Sequence, residues 1–196
     1  MPIATRARAS IAALIAGSGV ALSATALTQA PIDARAFETR ATFAVNDLRL
    51  SLSTAVATIE PAATSPRHWW VRMYFYAFPL TPAEMQEAMT GTVARIDRRW
   101  AQLPPSRYNS SRAVVQLTVD RESRAIAQVD MSVPGHTCTI AWRADDLDRF
   151  SRDYSFSGTR LRITNAGSNT CDIGSARETF TWNVDVDIPV FTVKAR

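Results

Sequence analysis

The sequence predicts an all-β fold, namely an antiparallel β-sandwich of about eight to nine strands. An Ig-like sandwich is one of the arrangements that this pattern allows. Apolar and polar residues alternate over 180–190 (FTWNVDVDIPV), as in a strand with one packed face and one hydrated face. An aromatic stretch over 68–78 (HWWVRMYFYAF) has the same period of two. Similar short stretches recur between turn residues, which favours a sheet protein over a helical one.

The N-terminal residues 1–26 have the three parts of a secretory signal peptide. Arg6 and Arg8 lie in a short positive start, and residues 11–26 are apolar and rich in Ala. The triplet at 24–26 (ATA) fits the small-residue pattern that precedes cleavage. Cleavage after Ala34 is an alternative, and so is an uncleaved N-terminal membrane anchor. We therefore predict export to the periplasm or the extracellular space, with no stable membrane span after cleavage.

The rest of the chain is predicted to form one domain. A length of 196 residues, of which 46% are hydrophobic and 20% charged, is sufficient for one packed core. Residues 27–40 show no clear period and are predicted to be an N-terminal leader, whereas 41–196 is predicted to be the β-sandwich domain. The formal net charge of +4 falls to +2 when Arg6 and Arg8 are removed with the signal peptide. Because the basic residues are dispersed, we expect no nucleic-acid partner.

Two strands and a turn are predicted before the aromatic strand. Residues 41–45 read as a short strand, Asn46-Asp47 as a two-residue turn, and 48–56 as a half-buried strand with clear alternation. The aromatic strand over 68–78 ends at Pro79, which lacks the backbone donor that a strand needs.

A short helix is predicted over 82–90. Thr81 is placed to be the N-cap, Pro82 the first helical residue and Glu84 the partner that completes a capping box. Gly91 is a natural end for this helix. The following stretch, 93–101, fits either a helix or a strand.

The second half of the chain is predicted to contain further strands joined by turns. Its last strand, 180–190, has the cleanest alternation in the sequence. The other predicted elements are strands over 113–120, 125–133 and 137–143, a helical turn or loop over 144–150, a strand over 154–163 interrupted at Ser157-Gly158, and a polar loop over 165–175.

The only two cysteines, Cys138 and Cys171, are predicted to form a disulfide, because export places them in an oxidising compartment. Free thiols and metal ligands are the alternatives. His136 stands two residues before Cys138, but the sequence supplies no further ligands of the kind that zinc requires. His68, the other histidine, is expected to form a hydrogen bond at a loop edge. No metal and no cofactor are predicted.

The acidic clusters give no strong indication of catalysis. Asp145, Asp146 and Asp148 lack the full calcium-loop pattern, and Asp185 and Asp187 fit the polar face of a strand. The Gly-x-Ser-x-Gly pattern of serine hydrolases does not occur in the sequence. We therefore predict no catalytic residues.

The clearest candidate for a binding face is one side of the aromatic strand. Interleaved aromatic and Arg side chains stack on sugars or bases, or anchor a protein partner. A helix or a second sheet that covers this face would give it a purely structural role, and the sequence leaves both interpretations open. The residues of this face are Trp70, Arg72, Tyr74 and Tyr76.

From these observations we expect an exported, non-enzymatic module that binds a protein, a glycan or another component of the cell envelope. The Ala- and Arg-rich composition is typical of a bacterial, GC-rich coding sequence. Two alternatives stay open, a small outer-membrane β-barrel and a small secreted hydrolase with a dispersed active site. The strand over 68–78 counts against the barrel, because neither of its faces is consistently polar.

Overall fold

The computed structural model describes residues 32–140, 147, 150, 153–173 and 176–193. The chain divides into two units, Met1–Pro31 and Ile32–Arg196, and every described residue belongs to the second unit. The predicted signal peptide and most of the helical turn or loop predicted over 144–150 therefore lie outside the described residues.

The described part of the chain is mostly β, as predicted, with nine strands and few helices. The strands are β1 Glu38–Val45, β2 Leu48–Pro61, β3 His68–Tyr76, β4 Arg112–Asp120, β5 Ile126–Val133, β6 His136–Ile140, β7 Tyr154–Phe156, β8 Arg160–Ile173 and β9 Ala176–Thr192. The helices are α1 Pro82–Ala88, α2 Ala94–Ala101 and α3 Pro105–Tyr108, and a 3-10 turn at Ala34–Phe37 precedes β1.

The nine strands of the described residues form one sheet, in the order β6-β5-β4-β3-β2-β1-β9-β8-β7. The predicted sandwich of two stacked sheets is not confirmed. Neighbours in this order pair antiparallel, and β2 and β9 also meet in a short parallel pairing of 57–59 with 190–192. Alternation predicts which residues face a core, but a bend of the same sheet covers those residues as well as a second sheet does.

The single sheet buries one face because it curls over itself. Trp69 of β3 packs edge-on against Phe156 of β7, with 6.1 Å between the ring centres, although four strands separate β3 from β7 in the sheet. We call the concave side the inner face. Its core includes buried residues from all nine strands, and the largest fully buried side chains include Phe75, Phe180 and Leu50.

A second contact closes the curl where β6 approaches β8, and we call it the seam. The sulfurs of Cys138 and Cys171 lie at disulfide-bonding distance, as predicted, and their Cα atoms are 5.5 Å apart. Beside them, His136 Nδ1 lies 2.7 Å from a carboxylate oxygen of Glu178 on β9. The seam therefore joins β6, at one edge of the sheet, to the neighbouring strands β8 and β9 near its other edge.

Helices α1 and α2 cover part of the opposite, outer face. Helix α1 begins with the predicted capping box: the Thr81 hydroxyl accepts the Glu84 backbone N–H, and the Glu84 carboxylate accepts the Thr81 backbone N–H. Residues 94–101, for which the sequence left helix and strand open, form α2, and its Ile96 is fully buried. Together with the 3-10 turn, these helices form a second apolar cluster on the outer face.

Several boundaries differ from the sequence prediction, and those of four strands show why. Strand β2 runs on to Pro61 instead of ending at 56, paired with β3. The polar loop predicted over 165–175 is wrong, because β8 runs through most of it to Ile173, paired along its length with β9. Strand β1 begins at Glu38, inside the predicted leader, and the aromatic strand ends at Tyr76 rather than at 78. In each case a neighbouring strand, which local propensity cannot reveal, decides where the element ends.

Candidate binding surface on the outer face of β3

The outer face of β3 has a covered end and a half-exposed end. Tyr76 is fully buried under the helices, whereas Trp70, Arg72 and Tyr74 are each half-buried. The four residues share one face, as the alternation predicted. The part of that face that solvent can reach is shorter than the sequence indicated, because α1 and α2 cover its Tyr76 end.

The covered end is fixed by a hydrogen-bonded group that ties α2 to the sheet. The Tyr76 hydroxyl donates to Asp97 Oδ1 at 2.7 Å. Arg112 of β4 donates to both oxygens of the same carboxylate, with Nε and Nη2 each 3.0 Å from their acceptors. The Arg112 guanidinium also lies over the Trp100 ring, 4.7 Å from its centre. Such a bidentate pair holds α2 in one orientation over the sheet.

The charges of this group keep its protonation states fixed. Burial, reinforced by the nearby Asp97 carboxylate, raises the pKa of Tyr76 far above its usual value of 10.0, so the hydroxyl remains a donor. Burial opposes the charged form of Arg112, but the Asp97 carboxylate outweighs burial, and the pKa of Arg112 is raised. Tyr76 therefore stays a neutral donor and Arg112 stays a cation, and the group acts as a structural tie.

The half-exposed end is organised around Arg72. Its Nε donates to Gln116 Oε1 of β4 at 2.7 Å, and its Nη1 forms an ion pair with Glu60 of β2. The guanidinium also lies 4.9 Å from the centre of the Trp70 ring. Cross-strand register explains this convergence, since Trp70 pairs with Glu60 in one ladder and Arg72 pairs with Gln116 in the other.

A cleft of about 270 Å³ opens between this end of β3 and the start of α2. Arg72 and Tyr74 line it from the sheet, and Asp97 lines it from the helix. The remaining lining residues are Thr58, Glu60, Gly91, Thr92, Val93, Ala94 and Val193. Both guanidiniums next to the cleft, those of Arg72 and Arg112, are paired with carboxylates, so the cleft carries hydrogen-bonding groups without an unbalanced charge.

Three larger clefts in the described residues offer less for recognition. In one of about 310 Å³, Phe43 is buried, and the Trp182 ring lies against Gly167 with its indole N–H held by Asn165. The other two are larger still. A groove of about 510 Å³ over β1, β2 and β9 is lined by hydroxyl, amide and charged groups but by no aromatic ring. A cleft of about 440 Å³ has a single aromatic residue in its lining, Phe78. The guanidinium of Arg99 already covers that ring at 4.2 Å from its centre. Neither cleft presents a free ring for stacking.

The histidines do not meet in one site. His68 Nδ1 lies 2.8 Å from the Ser65 hydroxyl at the loop before β3, the loop-edge hydrogen bond that the sequence predicted. His136 pairs with Glu178 at the seam. No group of three or more His, Cys, Asp or Glu in the described ranges is arranged to hold a metal ion.

The acidic clusters have structural partners where the structure describes them. Asp187 pairs with Arg160 at 2.6 Å, and Asp185 accepts the Thr164 hydroxyl at 3.3 Å on the outer face of β9. This is the polar strand face that the alternation predicted. Asp145, Asp146 and Asp148 lie outside the described residues.

Sequence reasoning missed the residues that complete the surface. Glu60, Gln116, Asp97 and Arg112 come from three other elements, and nothing in their local sequence connects them with β3. Only the register between β2, β3 and β4 brings the first two together, and only the packing of α2 adds Asp97. A recognisable hint was the alternation in 113–120, which places Arg112 and Gln116 on one face.

No protein-family model, curated protein or solved structure matches this chain. Within the described ranges, none of the helices has the length and apolarity needed to cross a membrane.

Proposed function

We propose that this protein is an exported, non-enzymatic module that binds an uncharged, hydroxyl-rich glycan of the cell envelope along the half-exposed outer face of β3. One observation carries the proposal. Two half-exposed aromatic residues, Trp70 and Tyr74, flank a guanidinium whose charge is already paired, beside a cleft of about 270 Å³.

Two features of the chain support export: the N-terminal residue pattern and the cysteine pair. Residues 1–26 have the charge and hydropathy pattern of a cleavable signal peptide. The only two cysteines lie at disulfide-bonding distance, an arrangement typical of proteins that fold in an oxidising compartment. Both observations support a periplasmic or extracellular location.

The spacing of the two aromatic residues favours an extended ligand. Trp70 and Tyr74 are four residues apart on a strand, which corresponds to about 13 Å at the rise of an extended chain. The cleft is smaller than the ~300–1,000 Å³ of pockets that enclose a drug-sized molecule, so it accommodates one ring of a longer ligand. An oligosaccharide that lies along β3 would place one ring in the cleft and another on Trp70.

The charge balance favours an uncharged ligand. The positive groups of Arg72 and Arg112 are matched by the carboxylates of Glu60 and Asp97. A ligand with a full charge would have to compete with these ion pairs. Hydroxyl groups instead accept and donate hydrogen bonds at the edges of the paired groups, at Gln116 and at the threonines of the cleft.

The surface offers little support for a protein partner. Among the described residues the only large hydrophobic side chain that is well exposed is Met89, at 46%. Stable protein interfaces have a desolvated apolar centre, usually with aromatic residues, and a single exposed Met does not provide one. A surface with so few exposed apolar side chains is compatible with a polar ligand that stacks on one or two rings.

Calorimetric titration of the mature chain with neutral oligomers of glucose, mannose and N-acetylglucosamine tests the proposal. We expect one of these series to bind, with affinity that rises from the monomer to the trimer. Trp70→Ala should raise the dissociation constant at least about tenfold, equivalent to about 1.4 kcal/mol, because the stacking surface is lost. Tyr74→Ala should have a similar effect.

The matched control is Arg49→Ala, outside the surface. Arg49 is exposed on β2 and lines no part of the cleft, so its removal should leave the affinity unchanged. Thermal melts establish that each variant is folded. The proposal is wrong if folded Trp70→Ala and Tyr74→Ala variants bind every oligomer as the parent does, or if no neutral oligomer binds and an envelope protein does.

A further inference from the structure

The turn between β4 and β5 brings two guanidiniums onto the inner side of β3. Five arginines in the described residues are partly buried, and Arg72, Arg99 and Arg112 among them pair with carboxylates. Arg121 and Arg124 are the other two, and neither forms an ion pair with a described carboxylate. Two half-buried positive charges without an ion-pair partner among the described residues are unusual, because burial makes an unpaired charge costly.

Arg121 and Arg124 lie against aromatic rings, whereas the other partly buried arginines of the described residues also lie against carboxylates. The Arg124 guanidinium lies 4.2 Å from the centre of the Trp69 ring and 5.6 Å from that of Phe156. The Arg121 guanidinium lies 5.7 Å from the same Trp69 ring. A ring face holds a guanidinium in place without neutralising it, and leaves its N–H edge available to an oxyanion.

Unsatisfied polar atoms are concentrated at this one place. Among the described residues, four buried side-chain nitrogen or oxygen atoms have no hydrogen-bond partner. One of them, Arg99 Nε, lies 2.9 Å from a Glu84 oxygen and is paired electrostatically. The other three are Arg121 Nε, Arg124 Nη1 and the Tyr154 hydroxyl. Arg121 and Arg124 share the Trp69 ring, and the Arg124 charge is close enough to act on Tyr154. Buried polar groups are normally satisfied, so unsatisfied atoms around one ring mark this place as a candidate binding site.

The backbone of the turn is constrained in the same place. Arg124 has φ of 62°, in the left-handed region that residues other than Gly, Asn and Asp rarely adopt. Asp120 holds the turn by accepting the backbone N–H groups of Glu122 and Ser123. Strain of this kind persists where the surrounding structure imposes it, and it clusters at functional sites.

We propose that Arg121 and Arg124, with the Tyr154 hydroxyl beside them and Trp69 beneath them, bind the carboxylate or phosphate group of a ligand. Guanidinium pairs match the planar, bidentate geometry of these oxyanions, and Tyr154 adds a neutral donor. Burial raises the pKa of Tyr154 above its usual 10.0, which keeps that donor protonated. No residue of this site lines the outer cleft, so it does not depend on the proposed glycan surface.

The test uses the indole N–H signal of Trp69 in a ¹⁵N-labelled protein, assigned through Trp69→Phe. The probes are inorganic phosphate against chloride at equal ionic strength, and glucuronate against glucose, which differ by one carboxylate. We expect phosphate, glucuronate or both to shift the Trp69 signal saturably, and chloride and glucose to leave it unchanged. Arg121→Gln and Arg124→Gln should each weaken binding of the effective anion at least tenfold.

The control is Arg98→Gln, since Arg98 is exposed and distant in sequence from the turn; its affinity should equal that of the parent. Purely structural guanidiniums would lower the unfolding midpoint when removed, yet no anion would shift the Trp69 signal of the parent. That result overturns the proposal, as does equal anion binding by the parent and by folded Arg→Gln variants. Either Arg→Gln variant suffices if the other does not fold.

A second arm distinguishes a free anion from a lipid headgroup. The parent is mixed with vesicles of phosphatidylglycerol or of phosphatidylcholine and sedimented. Binding to the anionic vesicles alone, lost in Arg124→Gln, assigns the oxyanion to a lipid. No vesicle binding, together with a response to phosphate or glucuronate, assigns it to a soluble ligand. Vesicle binding that survives both Arg→Gln variants, without a response to soluble anions, contradicts the site.

Discussion

At the scale of single residues, Asp120 shows how one carboxylate fixes a turn. Its Oδ1 accepts the backbone N–H groups of Glu122 and Ser123 at 3.0 and 2.9 Å, and its Oδ2 pairs with Arg67 at 2.6 Å. The backbone hydrogen bond from Ser123, followed by the bond from Arg67, holds the pKa of Asp120 well below its usual 3.8. These donors favour the charged form of the carboxyl group.

This shift predicts how stability depends on acid. Because the pKa of Asp120 is lower in the folded protein than in the unfolded chain, its carboxylate stabilises the fold above about pH 4, and the contribution is lost as the pH falls below that value. Asp120→Ala should therefore unfold at a lower urea concentration than the parent at pH 7, and the difference should shrink towards pH 2.

The matched control is Asp187→Ala. Asp187 also pairs with an arginine at 2.6 Å, but its side chain is 50% exposed and that of Arg160 is 59% exposed. Exposed ion pairs contribute about 0–1 kcal/mol, so this variant should stay close to the parent at either pH. Equal urea midpoints for Asp120→Ala and the parent at pH 7 would show that the turn does not need its anchor.

The residue scale also shows what alternation can and cannot predict. The period of two placed Trp70, Arg72, Tyr74 and Tyr76 on one face, and all four lie there. It gave no means to tell that Tyr76 is covered and Trp70 is not. That difference depends on where α2 packs against the sheet, which no local pattern specifies. Asp97 of α2 accepts the hydrogen bond from the Tyr76 hydroxyl.

At the scale of elements, the capped helix and β8 mark the two extremes of what local sequence specifies. The capping box of α1 depends on residues three apart, so Thr81 and Glu84 were sufficient to predict it. Strand β8 has a polar stretch that reads as a loop, and it is a strand because β9 supplies its hydrogen-bonding partner. Its Gly167 pairs directly with Trp182, whose indole N–H donates to Asn165 at 2.7 Å.

Gly167 is required because the Trp182 ring occupies the space of a side chain. A Cβ at this position would lie 2.6 Å from Cζ2 of that ring, closer than van der Waals contact allows. The ring cannot move freely, since its hydrogen bond to Asn165 holds it. Gly167→Ala should lower the free energy of unfolding by about 1–3 kcal/mol, as for other overpacked sites.

Urea unfolding of Gly167→Ala, with Ser168→Ala as the neighbouring control, tests this prediction. Ser168 is exposed, and its removal should change stability by no more than about 0.5 kcal/mol. If Gly167→Ala is as stable as the parent, the close approach of Trp182 to β8 does not exist in solution. A Gly167→Ala variant more stable than the parent would lead to the same conclusion, because the better strand propensity of Ala would then act without a clash with Trp182.

At the scale of the whole molecule, one curled sheet encloses the core that the sequence analysis placed between two stacked sheets. The inner residues of β1 to β5, β8 and β9 pack on one another because the sheet curls, and the seam joins β6 to β8. Alternation correctly marked the inward residues of most strands. Alternation could not predict the curl of the sheet, because the curl depends on strand order and on contacts between residues far apart in sequence.

The seam should contribute much of the stability. The disulfide-distance pair closes a loop with a sequence separation of 33 residues. The chain-entropy estimate for a loop of this length is about 3.5–4 kcal/mol, a large part of the ~5–15 kcal/mol of a typical domain. Cys138→Ala with Cys171→Ala should therefore lower the unfolding free energy by an amount of this order.

Thiol titration provides the independent check on the seam. The exported parent, unfolded in guanidinium without reductant, should react with no thiol reagent, and after reduction it should expose two thiols. Two reactive thiols before reduction would mean that the curl is held by packing alone. His136→Gln, which removes only the pairing with Glu178, should leave this titration unchanged.

The central claim is that the outer face of β3 binds a neutral glycan, separately from the oxyanion site at Trp69. The indole N–H spectrum of the parent tests this claim most directly. On addition of the neutral oligosaccharide that binds best, the Trp70 signal should shift saturably. The signals of Trp100 and Trp182, which donate to Tyr108 and Asn165, should stay in place. A saturable shift confined to Trp100 or Trp182, or no shift of Trp70 at saturating ligand, would contradict the account.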